Sequence, residues 1–146
     1  MDFQTPMPIC KYMVGLLPVG VASVLEPTPG QGNIVKELSF YNVTAPIDFW
    51  QTSGNYDAVV MNPPFTPMDM GYKILFKCME MSPVIITLMP WLTIINSERR
   101  TKKIIDYGLK SITHLPRSVF KGSRVQTCVL EMVSGWNQEC QFKVMM

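Results

Sequence analysis

Hydrophobic and polar positions fall into short segments of two periods. Ala58-Val59-Val60-Met61 is an apolar run that follows Asn55-Tyr56-Asp57 and stops at Asn62-Pro63-Pro64-Phe65. A run of that length predicts a strand buried on both faces. Val21–Leu25, Leu38–Val43, Pro83–Met89, Ser111–Pro116 and Gln126–Val133 read as further strands, with Gln141–Met145 at an edge. Helical spacing lies between them. Ile9, Met13, Leu16 and Leu17 share a face, with Thr5 as N-cap, Pro6 at the first helical position, and Pro18 and Gly20 as the stop. Asn33–Leu38 predicts a second helix. Asp69 is expected to cap a third, along which Tyr72, Leu75, Phe76 and Met79 form a stripe. Ser97 begins a fourth that ends at Gly108. Strands alternating with helices predict an α/β fold in one domain over residues 1–146.

The turn Asn62-Pro63-Pro64-Phe65 is the first candidate for chemistry. Two prolines remove two backbone donors and hold φ, so the strand ends in a stiff turn. It presents an amide, free carbonyls and an aromatic ring at the carboxyl edge of the sheet, where open α/β folds bind ligands. An amide that donates and accepts, beside a flat ring, suits a flat ligand with an amino group.

A second candidate is Glu26-Pro27-Thr28-Pro29-Gly30-Gln31-Gly32-Asn33, an acid and a glycine turn between the first strand and a helix. Such a turn lets the backbone approach a ligand closely. No Lys-Ser/Thr pair follows the glycines, which excludes a phosphate-binding P-loop. A ribose-binding acid, expected near 20 residues past the glycines at the end of the second strand, has no counterpart. That strand ends in Thr44-Ala45-Pro46, and Asp48 comes next. The interval to Asp48 is too short for a helix. Asn42 and Thr44 are the nearest polar substitutes.

Composition narrows the classes. Charged residues are 16% and apolar residues 47% of 146, which fits a globular chain and not a disordered one. Twelve methionines fit an adaptable core or an interface. A net charge of +2 permits nucleic acid as a partner without requiring it. Cys10, Cys78, Cys128 and Cys140 lack paired spacing and His114 is the only histidine, which argues against a metal site and for reduced thiols in the cytoplasm. The apolar run Met13–Leu25 is interrupted by Gly15, Pro18 and Gly20, so neither a membrane span nor a signal peptide is expected. Arg99, Arg100, Lys102 and Lys103 cluster in one helix. They are either a solvated face or a phosphate-contacting patch extended by Arg117, Lys121 and Arg124. Trp91 reads equally as a pocket wall or a core plug, and His114 as structural.

Taken in order, "FQTP", "EPTPGQG", "PIDFW" and "YDAVVMNPPF" resemble the motifs of S-adenosylmethionine-dependent amino methyltransferases, above all the adenine-N6 DNA methyltransferases. The resemblance covers about Phe3 to Met132 and departs at the second-strand acid. It implies a Rossmann-like class I methyltransferase sheet with helices on both faces, shortened around the second strand. It also implies S-adenosylmethionine as cofactor, with Thr5 and Pro6 near its methionine end and Glu26 on its amino group. Pro27, Gly30 and Gly32 would line it, and Asp48 beside Phe49 would receive its adenine amine.

By the same resemblance Asn62, Pro63, Pro64 and Phe65 are catalytic. The Asn62 side-chain oxygen and the Pro63 carbonyl would accept hydrogen bonds from the amine of a flipped adenine stacked on Phe65. Phe65, where a tyrosine would suit protein glutamine, favours adenine. Arg99, Arg100, Lys102, Lys103, Lys121 and Arg124 are the candidate DNA contacts. The expected protein is a compact, phage-like enzyme without a separate recognition domain, alone, as a homo-oligomer or with a partner subunit. The alternatives are methylation of RNA or of protein glutamine, and a degenerate methyltransferase fold that only binds or partners.

Overall fold

A computed structural model of the chain describes residues 4–120, 122 and 125–145. Among these residues seven strands form one sheet: β1 (Ser23–Leu25), β2 (Asn42–Thr44), β3 (Ala58–Met61), β4 (Val84–Pro90), β5 (Leu109–Leu115), β6 (Thr127–Val133) and β7 (Gln141–Val144). Their order is β2-β1-β3-β4-β6-β5-β7. Pairings from β2 to β4 are parallel, β6 runs antiparallel to both β4 and β5, and β7 is parallel to β5.

Side-chain alternation sorts the strands' residues onto two faces. Ala58 and Val60 join Val24, Ile86, Leu88 and Val129 beneath α1 (Met7–Gly15) and α2 (Asn33–Glu37). Val59 and Met61 join Leu25, Ile85, Met89 and Leu130 beneath α3 (Met68–Met79), α4 (Leu92–Ile95) and α5 (Glu98–Tyr107). The β3 run is buried at all four positions because both faces are covered. Burying the Val and Met side chains of this strand alone contributes about 1.5–3 kcal/mol each.

The chain runs from β1 through α2 to β2 on one side, then places β3 on the other side of β1. This is the topological switch point of a doubly wound sheet, where the carboxyl ends of two strands open a crevice. A reciprocal clamp holds those strands at their opposite ends. Asp57 Oδ2 accepts from the backbone N–H groups of Ala22 and Ser23 at 2.9 and 3.0 Å, and Ser23 Oγ accepts from the Asp57 N–H at 2.9 Å.

Between β2 and β3 the only helical piece among the described residues is the 3-10 turn Phe49–Gln51, and β2 is an edge of the sheet. The shortening expected around the second strand is therefore real. The strand itself is shorter than Leu38–Val43, because Leu38 closes α2 and its N–H binds the carbonyls of Ile34 and Val35.

Two predicted caps are corrected. Pro6, not Thr5, occupies the cap position of α1, so the helix starts at Met7 and Thr5 is free to turn inward. Pro67 occupies that position in α3, and Asp69 instead pairs with Lys73 one turn on, at 3.3 Å. Ser97 does cap α5, accepting from the Arg100 N–H at 3.3 Å, and Gly108 follows its end.

Candidate active site

The turns after β1, β2 and β3 surround one cavity of about 910 Å³, within the range that holds drug-sized ligands and cofactors. The first turn contributes Glu26, Pro27, Thr28, Pro29 and Gly30, with Asn33 and Ile34 from the start of α2. The second contributes Ala45 to Trp50. The third contributes Asn62 to Thr66, and Met70 and Ile74 of α3 close the wall.

Glu26 sits at the end of β1 with 1% of its surface exposed. Its Oε1 accepts from the Thr28 N–H at 2.7 Å and from the Thr28 hydroxyl at 3.4 Å. Burial pushes its carboxyl up to about 8, and the Thr28 bonds oppose that rise without cancelling it. A cation brought against a buried carboxyl of this kind would draw it back to the ionised form. Gly30 holds φ +53°, which admits the turn.

Asn62 donates from Nδ2 to Thr5 Oγ1 at 3.0 Å. Thr5 is itself buried, and its carbonyl accepts from Asn33 Nδ2 at 2.9 Å and from the Cys10 thiol at 3.5 Å. The segment before α1, the start of α2 and the end of β3 are thus tied into one unit. With its NH₂ turned toward Thr5, the Asn62 amide directs its carbonyl oxygen the other way. Phe65 stands edge-on to Tyr72, ring centroids 6.3 Å apart at 86°. Tyr72 is fixed in turn by its hydroxyl, which donates to the Thr93 carbonyl at 2.7 Å.

Asp48 Oδ1 caps the 3-10 turn by accepting from the Trp50 N–H at 3.0 Å. Behind it, Lys77 of α3 donates to the Phe49 carbonyl at 2.7 Å with its ammonium 4.3 Å from the Phe49 ring centroid. That double hold keeps the turn against the cavity where a second helix would otherwise do so.

The predicted residues divide as follows. Thr5, Glu26, Pro27, Gly30, Asp48, Phe49, Asn62, Pro63, Pro64 and Phe65 line the common cavity, whereas Pro6 and Gly32 do not. Neither Asn42 nor Thr44 lines it; Asn42 begins β2 at the opposite end of the strand, and the Thr44 carbonyl is taken by the Glu26 N–H at 2.9 Å. Arg99, Arg100 and Lys103 line a separate hollow, and Lys102 lines neither. Arg117 is exposed in a 3-10 turn outside both. Phe3, Lys121 and Arg124 lie outside the described residues. Trp91 packs against the core, donating from Nε1 to His114 Nδ1 at 2.9 Å, and is not part of the cavity wall.

Sequence reasoning missed the far wall. Phe120 and Val125, from the connection between β5 and β6, and Thr127 at the start of β6 complete the cavity with Leu88 and Pro90. It also missed Gly71. A Cβ there would lie 2.2 Å from Phe65 Cε1, so the absent side chain is what admits the ring. No cluster of His, Cys, Asp and Glu able to hold a metal occurs among the described residues, and no described helix is long and apolar enough to cross a membrane.

No protein-family model and no curated protein matches the sequence. Solved structures do match the fold. A protein from Listeria monocytogenes, described as a class I S-adenosylmethionine-dependent methyltransferase, aligns with TM-score 0.76 at 14% identity, over 97% of this chain and 65% of that one. The methyltransferase subunit of a type I restriction-modification system from Streptococcus thermophilus aligns with TM-score 0.77 at 14% identity, over 98% and 47%. A dimethyladenosine transferase from Plasmodium falciparum aligns with TM-score 0.64 at 13% identity, over 92% and 63%. The chain spans less than two thirds of the length of each. It has the Rossmann-like fold of class I methyltransferases.

Proposed function

We propose that the chain transfers a methyl group from S-adenosylmethionine to the exocyclic N6 amine of adenine in DNA, in the cytoplasm. The observation that carries this reading is the convergence of Glu26, Gly30, Asp48 and the Asn62–Phe65 turn on one cavity, with the Asn62 amide oriented by Thr5. The residues present fit the cofactor. The buried Glu26 carboxyl suits its ammonium group, Gly30 allows close backbone approach, and Asp48, which lines the same cavity, would accept from its adenine amine.

When bound, S-adenosylmethionine supplies an electrophilic methyl group. Adenine's amine is a weak nucleophile because its lone pair is delocalised into the ring. Asn62 Oδ1 and the Pro63 carbonyl would accept hydrogen bonds from its two N–H groups and favour a pyramidal nitrogen with its lone pair aimed at the methyl. As the new N–C bond forms, the S–CH₃ bond would break to leave a neutral thioether, and the nitrogen would lose one proton to solvent. Positioning and preorganised dipoles of this kind lower barriers by several kcal/mol. Phe65 would stack on the base, held by Tyr72 and admitted by Gly71. The same turn would accept adenine in RNA.

The first test is S-adenosylmethionine binding by calorimetry, with Gly30→Asp as control. Micromolar binding, lost in the control, supports the cofactor assignment. Absence of binding favours a chain that needs a partner subunit or serves only as one. The second test is transfer of labelled methyl into adenine-containing DNA and RNA by the wild type and Asn62→Ala.

A further inference from the structure

A second hollow, about 440 Å³, lies between α3 and the amino-terminal half of α5. Lys73, Arg99, Arg100 and Lys103 line it, with Asp69 as the single carboxylate among the described residues, over a floor of Tyr72 and Phe76. Four cations against one carboxylate stand out in a chain whose net charge is +2. Asp69 is an exposed i,i+4 partner of Lys73 and offsets little of that charge.

Two of the cations are held in place. The Arg100 guanidinium lies 4.0 Å from the Tyr72 ring centroid, and the Lys103 ammonium 4.1 Å from that of Phe76. Cation–π contacts of this kind order flexible side chains while leaving their hydrogens for a ligand. Lys102 differs: it pairs with Asp106 at 2.6 Å and is outside the hollow.

The hollow is joined to the cavity through one ring. Tyr72 meets Phe65 edge-on and also carries the Arg100 guanidinium over its ring. The 6.3 and 4.0 Å separations laid end to end bound the distance from the stacking ring to the guanidinium. At about 3.4 Å per nucleotide along a strand, that is a reach of a few nucleotides.

We infer that this hollow binds backbone phosphates of the nucleic-acid strand, a few nucleotides from the base that enters the Asn62–Phe65 cavity, through Lys73, Arg99, Arg100 and Lys103. The inference rests on the nucleic-acid reading of the cavity. It adds Lys73 to the phosphate contacts and removes Lys102 from them.

The test is fluorescence anisotropy of a labelled adenine-containing oligonucleotide, single-stranded and duplex, titrated over a range of salt. The Lys73→Gln/Arg99→Gln/Lys103→Gln variant should lower the slope of log K against log salt by roughly 2–3, since each lost contact contributes about 0.7 on single strands and about 0.9 on duplex. Lys102→Gln should keep the wild-type slope. Calorimetric S-adenosylmethionine binding unchanged in both variants verifies that they are folded. Oligonucleotide binding with an unchanged slope in the triple variant overturns the inference and leaves the cavity reading standing, with an acidic protein surface as the remaining occupant. A wild type that binds cofactor but neither oligonucleotide overturns the nucleic-acid reading itself, and this inference with it.

Discussion

Asn62 and Thr5 are 57 positions apart in sequence, yet the Asn62 amide donates to the Thr5 hydroxyl at 3.0 Å. The bond turns the NH₂ end of the amide toward Thr5. Asn62→Ala should abolish methyl transfer and leave S-adenosylmethionine affinity nearly unchanged. Thr5→Val keeps the side chain's shape but removes the acceptor. A hydrogen bond contributes about 0.5–1.5 kcal/mol, so kcat should fall up to roughly tenfold, with Thr5→Ser restoring it. Single-turnover kinetics of the three variants make the measurement. Equal activity in Thr5→Val would show that Asn62 is oriented by something else.

Gly71 and Phe65 give a second prediction. A methyl group at position 71 would sit 2.2 Å from Phe65 Cε1 and 2.3 Å from Cζ, so the ring must leave its place against Tyr72. Alanine is the better helix former by about 1 kcal/mol, which offsets part of the strain. Gly71→Ala should therefore change Tm by only a few degrees while raising KM for the nucleic acid and lowering kcat. The measurement pairs thermal unfolding with steady-state kinetics. A fully active Gly71→Ala would mean that the position of the Phe65 ring does not matter to the reaction.

Much of this arrangement was legible in the sequence, and the exceptions share a cause. Ala58–Met61 forms as predicted, residue for residue, because a run buried on both faces is a local signal. The stop at Gly108 and the helix start at Ser97 were equally local. Thr5 misled because a threonine before Pro6 has the local form of a cap, whereas its hydroxyl serves Asn62, far along the chain. Asp69 misled in the same way, its carboxylate being drawn to Lys73. Phe120, Val125 and Thr127 carry no pattern that marks them as a cavity wall; the antiparallel return of β6 beside β4 brings them there. Nor does an isolated glycine in a helix announce that another residue's ring lies over it. The Glu26–Gly30 and Asn62–Phe65 turns could be picked out as walls of one cavity because each is a contiguous motif, while the basic residues of α5 could be sorted into hollow and surface only by the packing of α3.

Glu26 predicts how the ligand-free protein responds to pH. Burial raises its carboxyl from an ordinary value of 4.5 to about 8 in the folded chain. The unfolded chain therefore releases this proton first, and the folded state binds more protons through the interval. Glu26's contribution to stability is complete below about 4.5 and is lost as pH rises through about 8. The loss is on the order of a few kcal/mol. Glu26→Gln, which cannot ionise, should flatten that part of the stability curve in urea titrations at several pH values. Cofactor affinity should move the other way, rising with pH toward 8 in the wild type, because a cationic ligand needs the ionised carboxylate. Calorimetry at pH 7 in buffers of different ionisation enthalpy would then detect a proton released on binding. A stability profile identical in wild type and Glu26→Gln would mean that the carboxyl ionises freely within the fold.

Asp57 predicts the opposite slope. The N–H groups of Ser23 and Ala22 hold its carboxyl below the ordinary carboxylate value of 3.8. Here the unfolded chain takes up the proton first, so the contribution of Asp57 is complete above that value and is lost as pH falls through the lowered one. Asp57→Ala should destabilise the protein at neutral pH and narrow its gap from the wild type in acid. The two residues act at opposite ends of the same strand pair: Asp57 aligns the starts of β1 and β3, and Glu26 and Asn62 follow their ends. Loosening the clamp should therefore reach the cavity as well. Asp57→Ala is expected to weaken S-adenosylmethionine binding at neutral pH although Asp57 does not line the cavity. Calorimetry well below the variant's Tm separates that effect from unfolding. Unchanged affinity in a destabilised variant would show that the switch point is held by the sheet's own hydrogen bonds, without the clamp.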